Sequence, residues 1–394
     1  MANFYLWGVI ASPYQLKMQA LLDYAEHSWS RCPAQSGRLS NMALMLKLQH
    51  AKRMKKVQRF TGFTPELDEY PSVPFYTLDK KTFYYDSSSL AYHLDQHPQC
   101  HEAPLIPEDP LLAFICTLID EAFDEFGLYM VHHNRWVVSA QTNLMGVTTA
   151  EEFSHLLPAF IASKMSEKLP KRQVRRCPYL FSVAPAGFDA GVEPELTAPG
   201  KDGFPPTHDL LNQAWRKYLA ALEQVLAKQP YLLGDRFTLA DASAYGQLSM
   251  NFIDGVANDL LAQLAPVSHN WLRSIERGEH KGVRGALYLS DELQGLLTVI
   301  DETFVSLMLQ NSAAHTAAVA DGETLYNEKA FDRGRSLYAG QLMGQGFKAA
   351  VKTFQVKVWK DLQNSWAKLH ASDRKTLGSQ LPEKTVSALS VSSL

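Results

Sequence analysis

The chain has 394 residues, of which 46% are hydrophobic and 20% charged, with a formal net charge of −3 at neutral pH. That length predicts two or three domain-sized units with ample core, and the slightly acidic balance leaves no electrostatic case for a nucleic-acid partner. No apolar run is long enough to span a bilayer, and no basic region precedes an apolar stretch at the N-terminus, so the sequence predicts a cytoplasmic protein with no membrane partner.

Residues 4–10 are β-prone and end at small residues, followed by Ser12, Pro13 and an amphipathic run over 16–24. The order predicts strand, tight turn and helix, with Ser12 at the helix N-terminus. Proline in a first helical turn is pre-organised, and serine just before it is a good N-cap. The free N–H groups and dipole at that point favour an anion, or a thiolate over a thiol. Taken alone, Ser12 is either a cap or a hydroxyl facing an anion. Residues 24–34 read as a second strand with its approach and exit. Residues 40–60 read as helical, with Met42, Leu46, Gln49 and Arg53 on one side and Leu44 and Leu48 beside them. Lys47, Lys52, Arg53, Lys55, Lys56 and Arg59 make this segment basic: either a solvated face or a source of one or two bases for a carboxylate.

Residues 70–78 read as a short strand entered through Val73-Pro74. A cis X-Pro bond persists where a tight turn needs it, and such a turn leaves the N–H and C=O of Val73 free to pair with an extended peptide. A strand then ends at Asp86, and a helix opens with Ser87 or Ser88 as its cap. Leu90, His93, Leu94 and His97 fall on one face of that helix. Asp86 and Ser87 thus place a carboxylate and a hydroxyl at a second helix N-terminus.

The succession of Ser12-Pro13-Tyr14 between strand and helix, Val73-Pro74 before a hairpin, and Asp86-Ser87 opening a helix resembles the thioredoxin-like domain of a cytosolic glutathione transferase. The Ser-Pro-aromatic turn is most similar to the serine-type, bacterial-looking members. The resemblance implies that Ser12 lies by the glutathione sulfur, that Val73 with Pro74 pairs with the cysteinyl part, and that Asp86 with Ser87 holds the γ-glutamyl end. It also implies that one or two bases of the 40–60 segment meet the glycine carboxylate. Two departures stand out. The acidic residue is more often Glu, so Asp86 draws its carboxylate back, and the segment before Val73 is longer than usual.

Pro98, Pro104, Pro107 and Pro110 mark a linker. His93, His97 and His101 are four apart, but Pro98 interrupts the helix that would align them, so no metal is expected. Cys32, Cys100, Cys116 and Cys177 form no C-x-x-C or metal spacing and read as buried small hydrophobes. From 111 onward the periodicity is helical. Leu112, Ile115, Ile119, Ala122, Phe123 and Phe126 make an apolar stripe that continues to Trp136. The other side carries Asp120, Glu121, Asp124, Tyr129, His132 and Arg135, either wet or held in ion pairs. By the resemblance this helix faces the active site, which makes Tyr129, His132 and Arg135 substrate-pocket candidates, together with Tyr14 of the Ser12 turn.

Residues 150–172 read as a helix, and 172–208 as a Pro- and Gly-rich loop of the length that tends to be functional or mobile. A clean helix over 209–228 turns Leu210, Ala214, Tyr218, Leu222 and Val225 inward. Thr238 and Asp241 then form a capping box ahead of a small-residue, apolar helix. This stretch resembles the capping motif of the glutathione transferase C-terminal domain, which implies a structural role for Asp241. Residues 268–310 read as two more helices. In the extension beyond, 352–369 is amphipathic, and Gly340, Gly344 and Gly346 lack the Lys-Ser/Thr of a phosphate loop and read as a turn or close packing.

The expected fold class is an α/β thioredoxin-like N-terminal domain plus an all-α C-terminal domain. The units are residues 1–97, a linker at 98–110, and a helical domain at 111–394 with an extension from about 310. The resemblance implies a homodimeric transferase that uses glutathione as co-substrate and no metal, and attacks a small hydrophobic electrophile with the glutathione thiolate. The alternatives are a non-catalytic binding or interaction protein on the same fold, or a glutathione-dependent lyase, reductase or dehalogenase. The lack of a cysteine in the Ser12 turn counts against reductase chemistry.

Overall fold

The computed structural model describes residues 3–64, 66–68, 71–96 and 103–391. Five short strands, β1 (Phe4–Trp7), β2 (Trp29–Cys32), β3 (Gln58–Arg59), β4 (Phe75–Thr77) and β5 (Tyr84–Tyr85), form a sheet in the order β2-β1-β4-β5-β3. β1 runs parallel to β2 and antiparallel to β4, and β5 is antiparallel to β4 and parallel to β3. A parallel neighbour needs a crossover, and α1 (Pro13–Tyr24) provides it between β1 and β2. Helix α2 (Arg38–Arg53) follows β2, and α3 (Ser87–Asp95) follows β5. Side chains alternate across the sheet. Phe4, Leu6 and Tyr76 pack with α1 and α3, while Trp7, Phe75 and Tyr85 pack with Leu44 and Leu48 of α2.

Helix α2 departs from the sequence reading in two ways. Its inward face is Asn41, Leu44, Leu48 and Ala51, so Met42 and Leu46 point outward. It also stops at Arg53 instead of running to 60. Lys55 takes a left-handed φ of 54°, and the Lys56 N–H reaches back to the Ala51 carbonyl at 2.8 Å. That reversal closes a helix C-terminus and frees Gln58 and Arg59 to pair with β5.

The helical part begins with one continuous rod: α4 (Pro110–Ala122), a π turn at Phe123–Gly127, α5 (Leu128–His133) and a second π turn at Asn134–Val138. A helical pair follows, α6 (Met145–Ser154) and α7 (Ala159–Arg175). Residues 176–207, expected as a loop, are irregular but packed, with Cys177, Phe181, Ser182 and Val183 buried. Next come α8 (His208–Leu226), α9 (Leu239–Leu248), α10 (Gly255–Leu264), α11 (Pro266–Glu276), α12 (Gln294–Ile300) and α13 (Ser306–Ala320). The extension continues with α14 (Asn327–Asp332), a hairpin of β6 (Leu337–Leu342) and β7 (Gln345–Ala350), then α15 (Thr353–Lys368), α16 (Ala371–Gln380) and α17 (Glu383–Ser390). Gly344, at φ 77°, supplies the hairpin turn. The free edge of β6 meets the Gln310 side chain, which donates to the Gln341 carbonyl at 3.0 Å and accepts the Gln341 N–H at 2.9 Å.

The two parts share a core. Helix α9 packs on α1 and α4. A Cβ on Gly246 of α9 would come within 2.7 Å of the Pro13 carbonyl oxygen, so glycine is what lets the helices approach beside the Ser12 turn. The expected capping box holds α9 in place. The buried Asp241 carboxylate accepts the N–H groups of Thr238 and Leu232 and the Thr238 hydroxyl, each at 2.8 Å. The Asp95 carboxylate accepts the N–H groups of Leu105 and Ile106, tying the connection to α3. Residues 98–102 of the expected linker, with His97, lie outside the described residues. Among the described residues, no helix is long and apolar enough to cross a membrane.

Candidate functional site

Ser12 stands at the N-cap of α1, at the end of β1, with its side chain 7% exposed. Pro13 follows at the first helical position, and the N–H groups of Gln15 and Leu16 return to the Ser12 carbonyl. The hydroxyl makes no capping bond. Facing the same end of β1, the Val73–Pro74 bond is cis, and among the described residues neither the N–H nor the C=O of Val73 has a hydrogen-bond partner.

Asp86 is the N-cap of α3. Its Oδ1 accepts the Ser89 N–H at 2.9 Å, and its Oδ2 receives the Nε of Arg59. The Arg59 side chain is itself buried, 3.9 Å from Asp68, with Phe354 of α15 stacked 5.6 Å from its guanidinium. Burial disfavours the Arg59 charge, but Asp86 and Asp68 outweigh it and hold its pKa above the ordinary value. Asp86 has φ 77° and ψ 116°, a left-handed backbone that non-glycine residues take at a cost and that clusters at functional sites. Ser87 is buried beside it, with a hydroxyl that engages no partner among the described residues.

Behind this edge lies a charge cluster in which Asp120 and Asp124 are held in ion pairs, with a partner, Lys17, that sequence reading missed. Lys17 of α1, 1% exposed, donates to Asp120 at 2.5 Å, Asp124 at 2.6 Å and Ser88 at 2.7 Å. Ser88 and Ser243 donate in turn to Asp120. Burial opposes the Lys17 charge, but the two carboxylates prevail and raise its pKa. Two carboxylates share one ammonium, and burial pushes Asp124 up to about 7. The sequence did carry a signal: Lys17 sits among apolar neighbours of α1, and Asp120 and Asp124 are four apart, a spacing that puts both on one face of a helix. Charges on inward faces need partners.

The substrate-pocket candidates separate. The Tyr14 hydroxyl donates to the Asp124 carbonyl at 2.9 Å, and burial raises its pKa. Tyr129 is buried, and its hydroxyl takes Lys352 Nζ at 2.5 Å and Gln355 Nε2 at 2.7 Å, both from the extension. Burial brings Lys352 down to about 7 and Glu125, beside Gln355, up to about 7. His132 and Arg135 do not reach this surface. Arg135 is buried against Asp254 at 2.8 Å and the Met250 carbonyl, and His132 is buried 4.0 Å from Cys177. The physical reason is the π turn at Phe123–Gly127. One extra residue per turn rotates all that follows by roughly 100° relative to an unbroken α-helix, which carries these side chains into the helical core.

Two segments outside the expected site also reach it. The Glu152 carboxylate of α6 accepts the Ile10 N–H at 3.0 Å, two residues before Ser12, and pairs with Arg31 at 3.0 Å. Phe153 and Leu157 pack against the buried cluster that holds Leu44 and Leu48, as does Val73. No local signal in the sequence marks Glu152, because 142 positions separate it from Ile10. His93 stacks on Phe60 at 4.5 Å, and His97 and His101 lie outside the described residues. Cys32, Cys116 and Cys177 are buried, which pushes each thiol up, Cys116 to about 12; Cys100 lies outside the described residues.

A mixed sheet between α1, α3 and α2, joined to a helical domain through α9, defines the architecture of the glutathione transferases. The family model described as "Glutathione S-transferase, C-terminal domain" matches residues 205–250, which hold α8 and all of α9. Among solved structures, the chain is similar to a glutathione S-transferase of Ceriporiopsis subvermispora in complex with glutathione, at 14% identity and TM-score 0.40, over 70% of this chain and 97% of that one. It is similar to the beta-etherase LigF of Sphingobium at 18% identity and TM-score 0.39, over 70% and 95%. It is also similar to a glutathione S-transferase of Pseudomonas fluorescens at 15% identity and TM-score 0.32, over 72% and 98%. No curated protein matches the chain.

Proposed function

We propose that the protein binds glutathione and transfers its thiolate to a small hydrophobic electrophile, as a cytoplasmic homodimer. The observation that carries this reading is Ser12, which holds the N-cap position but spends no hydroxyl bond on the cap. That donor is free for a sulfur anion, which a hydrogen bond and the helix N-terminus would both favour over the thiol. Val73 offers a backbone that is unpaired among the described residues for the cysteinyl part. Asp86 and Arg59 together suit the zwitterionic γ-glutamyl end, a carboxylate for its ammonium and a guanidinium for its carboxylate.

A second reading, a glutathione-fold scaffold without turnover, is favoured by one observation: Glu152 already occupies the Ile10 N–H beside the Ser12 turn. Calorimetric titration with glutathione and an aryl-halide conjugation assay on wild type and Ser12→Ala separate the two. The enzyme reading expects both proteins to bind, turnover to fall sharply in the variant, and the bound thiol's pKa to rise there. Binding without turnover in either protein moves the assignment to the scaffold, and no binding by wild type discards both.

A further inference from the structure

The outward face of α2 is apolar where a surface helix is ordinarily polar. Leu39, Met42 and Leu46 follow one line along it at 82%, 43% and 63% exposure, and Met54 just past its end is at 51%. The spacing of three and four places them on one face, opposite Asn41, Leu44 and Leu48, which pack on the sheet domain. The α6–α7 connection, which leads into the first turn of α7, lies alongside: Arg38 donates to the Leu157 carbonyl at 2.7 Å and Asn41 to the His155 carbonyl at 3.0 Å. That turn adds Phe160 at 67% and Ile161 at 38% exposure.

The charges of α2 and of the turn that ends it have one sign. Arg38, Lys47, Arg53, Lys55 and Lys56 are all exposed, and the sequence has no Asp or Glu between Glu26 and Glu66. Lys164, Lys168 and Arg172 continue the basic face on α7, with one exposed acid, Glu167, among them. In a chain of net charge −3 this is a local concentration, not a general property.

We propose that this face docks the protein on an anionic phospholipid membrane. Protruding apolar side chains set among lysines and arginines are what an interfacial helix presents: the apolar groups enter the headgroup–acyl boundary and the bases meet anionic headgroups. Charge complementarity selects this occupant over a second copy of the chain, because a two-fold contact would set the face against itself, base opposite base. The sequence expectation of no membrane partner rests on the lack of a spanning segment, and docking at a surface needs none.

The test is co-sedimentation of the full chain with vesicles of phosphatidylcholine alone and of equal parts phosphatidylcholine and phosphatidylserine. Wild type is expected to partition onto the anionic vesicles, far less onto the neutral ones, and to be released as salt rises. Two variants at exposed positions, Leu39→Ser/Met42→Ser/Leu46→Ser and Lys55→Glu/Lys56→Glu, are each expected to bind about tenfold or more weakly, with unchanged circular dichroism. Wild type that ignores phosphatidylserine, or two variants that bind like wild type, overturns the proposal. Binding to polyglutamate without binding to vesicles reassigns the face to an acidic protein partner. A dimer that the triple variant dissociates, again without vesicle binding, reassigns it to a second copy.

Discussion

Asp86 combines two costs at one position, a left-handed backbone and a buried charge, and Arg59 offsets the second. Asn tolerates the left-handed region and could still accept the Ser89 N–H, so Asp86→Asn removes little but the charge. It leaves Arg59 buried and under-compensated, a loss on the order of 3 kcal/mol. Urea denaturation should show that loss, and glutathione titration a matching drop in affinity. If stability and affinity both stay at wild-type values, Asp86 neither holds Arg59 nor meets the γ-glutamyl end. Buried histidines set a second residue-scale expectation. Burial lowers the pKa of His132 and of His133 from 6.5 to about 3. Between those values the unfolded chain binds protons that the folded rings refuse, so stability is lost as pH falls from 6.5 toward 3. His133 accepts or donates to Ser182 at 2.8 Å and Asn212 at 3.2 Å. His133→Gln can keep part of that bonding without titrating, so its melting temperature should fall less steeply over this range than that of wild type. Parallel slopes in the two proteins would show that the ring is not kept neutral by the fold.

At the scale of elements, the Lys17 cluster joins α1, α3, α4 and α9 through a single ammonium and two serines. Lys17→Met leaves Asp120 and Asp124 facing each other in the core, at a cost of about 3–5 kcal/mol. Adding Asp124→Asn should recover part of it in the same urea assay, since Asp120 keeps its serine donors. A single variant as stable as wild type would show that the cluster is not what ties these helices. What the sequence made legible here was local. The strand–turn–helix at Ser12, the Val73-Pro74 turn, Asp86 before α3 and the Thr238–Asp241 box each lie within a few residues and depend on backbone preference. What it hid was long-range or depended on helix phase. Arg59 meets Asp86 only because α2 ends early at Arg53 and the chain reverses at Lys55, and His132 and Arg135 turn inward only because of a π turn that no residue type announces. Glu152 reaches the Ser12 turn from a helix whose docking no periodicity reveals.

At the scale of the whole molecule, the extension is part of the body and not an appendage. Trp359 and Trp366 of α15 are buried in the common core, Trp366 against Phe114 of α4 at 5.3 Å, and Phe354 and Gln355 reach the edge that carries Arg59 and Glu125. Residues 176–207 are fixed in the same way, with Phe181 stacked on Tyr129 at 5.4 Å. Such contacts give the amphipathic face read at 352–369 its partner and build the segment read as a loop into the fold.

The hairpin in that extension has a consequence for how copies of the chain meet. A two-stranded sheet has open edges, and an open edge is a template on which a strand of another molecule can assemble. Gln310 answers both hydrogen-bonding groups of Gln341 with one side-chain amide, whose donor and acceptor imitate those of a peptide unit. It acts as a strand one residue long that cannot be extended. Gln310→Ala should therefore leave the secondary structure intact and shift light scattering toward larger species as concentration rises. Scattering identical to wild type across that range would mean the edge is protected by something other than this amide.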